Sequence, residues 1–227
     1  EKKHLSLLDV CSGICSQSTL SRVEQGSREL DSLTSEMLLG RIGREVTRFE
    51  LILNAEDYYL NQLRIEINEN IEEKNYIKAK EKINLYRQHM PAEGKVHEQF
   101  CCYMECRILI AQNEITEKLS ALLLRAIRYT IPDYLLENCV SRRLYSPVEI
   151  ELIRMHITYN DRKCECNEVE LFLIMDFVTE FYSLKQQEKI EIPLLVDCVK
   201  YEIALEKYNR ALASIERALD IISVGRS

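Results

Sequence analysis

The segment Ile14-Cys15-Ser16-Gln17-Ser18-Thr19-Leu20-Ser21-Arg22-Val23-Glu24-Gln25-Gly26 reads as a turn followed by a short helix. Ser16 is a good N-cap, because its hydroxyl can accept a hydrogen bond from an orphan amide of the first turn. Gly26 supplies the stop at the other end. Leu20 and Val23 are spaced i,i+3, so one side of the helix packs inward. The helix would present Gln17, Ser18, Thr19 and Arg22 outward, with Gln17, Ser18 and Arg22 opposite the apolar pair. These side chains are of the types that hydrogen-bond base edges and phosphates in a DNA major groove.

Ahead of this helix, residues 5–13 form a short amphipathic segment carrying Leu5, Leu7, Leu8, Val10 and Cys11, which Gly13 breaks as a tight inter-helix turn requires. Beyond the polar loop 27–32, Leu33, Met37, Leu38 and Ile42 mark a third helix, and Phe49, Leu51, Ile52 and Leu53 a fourth. From about residue 55 the pattern changes to long amphipathic helices in pairs. The first pair covers 56–73 and 76–90, the second 94–112 and 115–130, the third 147–159 and 167–184, the fourth 192–206 and 208–223. Serial helix hairpins indicate an α-solenoid, in which each unit needs neighbours to bury its apolar face. Tyr76, Ala79, Ile83 and Tyr86 recur in spacing as Tyr208, Ala211, Ile215 and Ala218, with the small Ala letting paired helices approach closely. That spacing resembles the tetratricopeptide repeat, which the second and third units match only loosely. The helix at 167–184 is apolar on most sides and is expected to be enclosed by neighbours or by a second subunit.

Composition fits an all-α chain: Gly (6) and Pro (4) are scarce among 227 residues, 46% of them hydrophobic and 30% charged. No apolar run approaches the roughly 18 residues of a membrane span. The start, Glu1-Lys2-Lys3-His4, lacks the apolar stretch of a signal peptide. The net charge of −7 argues at first against nucleic acid, yet residues 1–50 carry only −1 of it. Arg22, Arg28, Arg41, Arg44 and Arg48 can still supply local positive charge there. Nine cysteines are an odd number in a chain too long for a disulfide-stapled scaffold. Cys101, Cys102, Cys106, Cys139 and Cys198 sit among apolar residues as reduced core thiols do, which suits a cytoplasmic protein. Cys164-x-Cys166 lacks the paired spacing of a zinc site, and His97 and His156 lack ligand spacing, so neither metal nor other cofactor is expected. A redox role at Cys164 and Cys166 is the alternative to structural thiols. No phosphate loop, nucleophile elbow or zinc-protease motif is present, so the chain does not read as an enzyme.

The two parts together resemble a known class: Xre-type helix-turn-helix transcriptional regulators with C-terminal tetratricopeptide-like repeats, similar to the peptide-responsive PlcR and Rgg regulators of Gram-positive bacteria. Val10-Cys11, Gly13-Ile14 and residues 16–26 carry the resemblance, above all the ending Ser21-Arg22-Val23-Glu24-x-Gly26. It implies a DNA-binding domain over 1–53 and a repeat domain for sensing and dimerisation over 55–227. It implies also a helix ahead of the motif, so the chain is expected to begin inside that helix. On this view Ser16, Gln17, Ser18, Thr19, Arg22 and Arg28 would bind DNA. Gln17 would meet adenine or guanine edges, Ser18 and Thr19 phosphate or a thymine methyl, Arg22 guanine or phosphate, and Arg28 phosphate. Glu24 would hold Arg22 or Arg28 by an ion pair. The repeat groove would bind a short quorum-sensing peptide. Asn61, Arg64 and Asn68 form one polar helical stripe, and Arg154 and Asn160 could act likewise in the third pair. An ordinary solvated helix face explains the same stripe. The expected partners are double-stranded DNA, a peptide and a second copy of the chain. The alternative function is a helical-repeat interaction scaffold whose DNA-binding domain has degenerated.

Overall fold

The computed structural model describes residues 5–44, 52, 54–92, 94–134, 144–159 and 165–225. All its secondary structure is helical. Three short helices come first. In α1 (Leu7–Cys11), Ser6 and Asp9 cap each other reciprocally. The Ser16 hydroxyl caps α2 (Gln17–Glu24), accepting from the Thr19 amide at 3.1 Å. Asp31 caps α3 (Ser32–Arg41) through the Thr34 amide at 2.8 Å. The fourth N-terminal helix expected from Phe49, Leu51, Ile52 and Leu53 falls outside the described residues except for Ile52.

Eight longer helices then follow as four consecutive pairs: α4 (Ala55–Glu72) with α5 (Tyr76–His89), α6 (Lys95–Ala111) with α7 (Glu117–Arg128), α8 (Pro147–Tyr159) with α9 (Glu165–Phe181), and α10 (Leu184–Ala204) with α11 (Tyr208–Gly225). The three pairs whose turns lie among the described residues turn by one device. Lys74, Asn113 and Glu206 each sit two residues past the end of a first helix with φ near +60°. The amide of the next residue reaches back to a carbonyl of the last turn: Asn75 to Asn70, Glu114 to Leu109, Lys207 to Glu202, at 2.7–2.8 Å. Each first helix thereby has its orphan carbonyls satisfied and its partner reversed over the same few residues.

The expected pairs and the observed ones differ mainly at α10, which begins at Leu184, eight residues before the expected start at 192. Ser183 and Gln186 form a capping box there, and Pro193 lies inside the helix. Its missing amide costs one bond of the ladder, an ordinary reason to start a helix at a proline when reading sequence alone.

Packing is continuous through the pairs. One core joins α4, α5 and α6 around Ile67, Ile83, Tyr86 and Ile108, and a larger one runs from α6 to α10 around Leu123, Ile153, Ile174 and Leu194. Leu171, Ile174, Met175, Phe177 and Val178 of α9 are all buried within this chain. The repeated Ala79 and Ala211 are both buried, whereas Ile83 is buried and Ile215 exposed. A small third core, Cys11, Leu20 and Leu38, holds α1, α2 and α3 together. The N-terminal helices are not set apart by a gap. α3 lies against α6 and α8, so its far side becomes part of the repeat packing.

Candidate nucleic-acid interface and its anchorage

In α2, Leu20 is buried and Val23 half-buried, while Gln17, Ser18 and Arg22 are exposed as the spacing implies. Eight residues give a helix about 12 Å long, close to the width of a major groove. Ser16, which is exposed, and the half-buried Thr19 engage in local bonds. The Ser16 hydroxyl lies 2.9 Å from those of both Ser18 and Thr19, and Arg28 donates to the Thr19 hydroxyl at 3.4 Å. Ser16 also borders a cleft shared with Gly94, Lys95 and Tyr129. Gln17, Ser18 and Arg22 are exposed together, with the exposed Ser16 and Arg28 beside them. Thr19 is half-buried, less exposed than Gln17 and Ser18. Among the described residues Glu24 makes no ion pair with Arg22 or Arg28; both arginines remain unpaired by it.

What mounts this helix is a buried polar node. Arg41, at the end of α3, is 2% exposed, and Glu149 in the first turn of α8 is 1% exposed. The guanidinium donates twice to the Glu149 carboxylate, with Nε 3.0 Å from Oε2. Its Nη1 donates to the carbonyls of Val10 (3.0 Å) and Ser12 (2.6 Å), the two residues flanking the end of α1. Glu149 receives further bonds from the Thr130 hydroxyl (2.6 Å) and the Ser146 amide (2.8 Å). Burial pushes this carboxyl's pKa up, but Arg41 and those donors outweigh it and hold the group below its usual range. Gly13, in the turn before α2, has φ +75°, and a side chain there would begin 1.9 Å from the Thr130 carbonyl oxygen. The turn is thus seated directly on the end of α7.

A second polar contact fixes the other end of α3. His97 of α6 lies 3.0 Å from the Asp31 carboxylate through Nε2 and 2.7 Å from the Tyr86 hydroxyl through Nδ1. A carboxylate only accepts, so Nε2 is the donor. Burial raises the Asp31 carboxyl, yet His97 and Thr34 overcome it and lower the group to about 2. The buried Asp57 of α4 accepts from the Ser32 amide at 3.1 Å.

The peptide-binding candidates occupy different surroundings from those their stripe suggests. Asn61 and Arg64 are 1% and 3% exposed, and they bond to one another at 3.0 Å. Arg64 also pairs with Glu36 of α3 at 2.9 Å. They are neither a solvated face nor an open groove, because α3 covers them. Asn68, half-buried, donates to the Arg64 carbonyl and accepts from Arg107. Arg154 is half-buried between Glu151 and Asp197, and Asn160 lies outside the described residues. The covering of this face by α3 has no local sequence signal.

Cys101, Cys102 and Cys106 are buried free thiols and Cys198 is buried as well, and burial pushes the Cys101 thiol up to about 12. Cys139 and Cys164 lie outside the described residues, as does the side chain of Cys166. Among the described residues no group of three His, Cys, Asp or Glu could hold a metal ion, and no helix is long and apolar enough to cross a membrane. Comparison with protein families, with curated proteins and with solved structures finds no match to this chain.

Proposed function

We propose that the chain is a cytoplasmic, sequence-specific DNA-binding transcription regulator, with helical repeats that bind a short peptide and pair two copies. The observation that carries this reading is the face of α2. Gln17, Ser18 and Arg22 are exposed together on a short helix that follows a tight turn and is braced from behind by Leu20. In a helix-turn-helix, the N-terminal residues of such a helix reach base edges. A second copy is supported by the last helix, where Tyr208, Leu212, Ile215 and Leu219 are all exposed at spacings of four, three and four. One apolar stripe on one helix face suits self-association, and paired heads suit paired half-sites. Peptide recognition rests on the family resemblance, with Asn68 and Arg154 the half-buried candidates on the first helices of their pairs.

The test is a salt-titrated DNA-binding assay of the whole chain against genomic fragments. Specific fragments are expected to bind with affinity that falls steeply as salt rises. Arg22→Ala is expected to weaken them by about 1–3 kcal/mol, the worth of one good base contact. Unchanged affinity in that variant would remove the recognition-helix assignment and leave the interaction scaffold as the better reading.

A further inference from the structure

Between α3 and the first helices α6, α8 and α10 lies a cavity of about 400 Å³. That is within the range of small-molecule sites. Its walls are largely apolar, with Leu33 and Met37 from α3, Phe100 from α6 and Ile150 from α8. One wall carries an unusual polar group. Gln99 is fully buried, and its Nε2 donates to the Ala126 carbonyl at 3.0 Å and to the Thr130 hydroxyl at 2.7 Å. A carbonyl can only accept, so the amide is fixed in this orientation. The other amide atom, Oε1, has no hydrogen-bond partner among the described residues. A buried acceptor left in that state costs about 1–3 kcal/mol, which a donor brought by a ligand recovers once it displaces the side chains that now seal Oε1 from the cavity.

Charge at the mouth points the same way. The two acids on the lining are already neutralised, Glu36 by Arg64 and Glu151 by Arg154. Arg44 and Lys189 also border the cavity and are exposed, and neither has an ion-pair partner among the described residues. Among the described residues, the charge left unpaired there is two positive groups over an apolar interior.

We propose that this cavity binds a small amphiphilic acid: a compact apolar body, an N–H or O–H donor for Gln99 Oε1, and one anionic group held by Arg44 and Lys189. The ligand is compact where the peptide of the preceding reading is extended, and the proposal stands whether or not α2 touches DNA. One wall of the site is α3, whose two ends carry Asp31 and Arg41. Occupancy therefore stiffens the joint between the N-terminal helices and the repeats.

The probe is 8-anilinonaphthalene-1-sulfonate, which combines fused aromatic rings, one N–H and one anionic group. Fluorescence and calorimetric titration of the whole folded chain are expected to give one saturable site and a raised melting temperature. N-octanoylglycine, which has the donor, is expected to compete better than decanoate, which lacks it. Val148→Trp, filling the cavity from a half-buried wall position, is expected to abolish binding. The double variant Arg44→Ala/Lys189→Ala alters only exposed side chains and is expected to weaken binding about tenfold, a loss of the size that two partly solvated charge contacts supply. Circular dichroism on both variants separates loss of site from loss of fold. Probe binding that is not saturable, or that is equally strong in the double variant, overturns the proposal. DNA affinity measured with Arg22→Ala reports on the other reading alone.

Discussion

Arg41 and Glu149 show how much one pair of residues can join. The guanidinium holds the end of α1, closes α3 and grips the first turn of α8 at once. Both charges are buried and well bonded, so removing one partner strands the other. Glu149→Gln is expected to lower the unfolding free energy by about 3–5 kcal/mol, read from urea denaturation. Half of this node was legible. Ser146-Pro147-Val148-Glu149 has the Ser-x-x-Glu spacing of a helix start, which the structure uses. Arg41 gave no such signal, because an arginine on an apolar helix face looks the same whether its partner is water or a carboxylate from a residue 108 positions away. Asp31 adds a pH dependence at this scale. Its carboxyl titrates at about 2 in the fold against 3.8 when unperturbed, so the folded state binds fewer protons through that interval. The stability it contributes is complete above about pH 4 and disappears as pH falls through about 2. Asp31→Asn is expected to flatten the dependence of the urea midpoint between pH 5 and 2.5.

At the scale of elements, the turn before α2 and the turn after it look alike in sequence and differ in consequence. Gly13 and Gly26 both have positive φ, near +70°. A side chain at Gly26 meets nothing within 4 Å, while one at Gly13 meets the Thr130 backbone. Gly26→Ala is expected to cost about 1 kcal/mol, the backbone penalty alone. Gly13→Ala adds a collision with another element and is expected to cost clearly more, lifting the α1–α2 turn off α7. Melting temperatures of the two variants compare them directly. Reading the chain placed both turns and all of α1, α2 and α3, since caps and periodicity are local. The start of α10 was not legible at Pro193, because its cap at Ser183 outweighs one missing amide. The exposure of Tyr208 and Ile215 was equally hidden, because spacing matched to α5 does not say which neighbours will cover a helix.

For the whole molecule, four hairpins were readable in order and nearly in extent, and the position of α3 against them was not. Periodicity reports that a helix has an apolar side, not which helix will lie on it. The consequence is measurable. Because α3 shares packing with α6 and α8, the N-terminal helices and the repeats are expected to unfold in one transition. Native-state hydrogen exchange should show the amides of α2 protected in step with those of α8, and Arg41→Met should free α2 to exchange early. If α2 already exchanges independently in the unaltered chain, α3 does not join the two parts.

The left-handed residues at the hairpin turns have a use in protein engineering. Asn tolerates that backbone region, whereas Lys74 and Glu206 hold it against the clash of an ordinary Cβ. Glycine at either of these two sites is expected to raise the melting temperature, by up to about 1 kcal/mol in unfolding free energy. At Asn113 the gain should be smaller. The two sites lie in the first and last hairpins, so their effects should add. The turns are thus separate dials by which each end of the array can be stiffened without touching a residue proposed to face DNA or ligand.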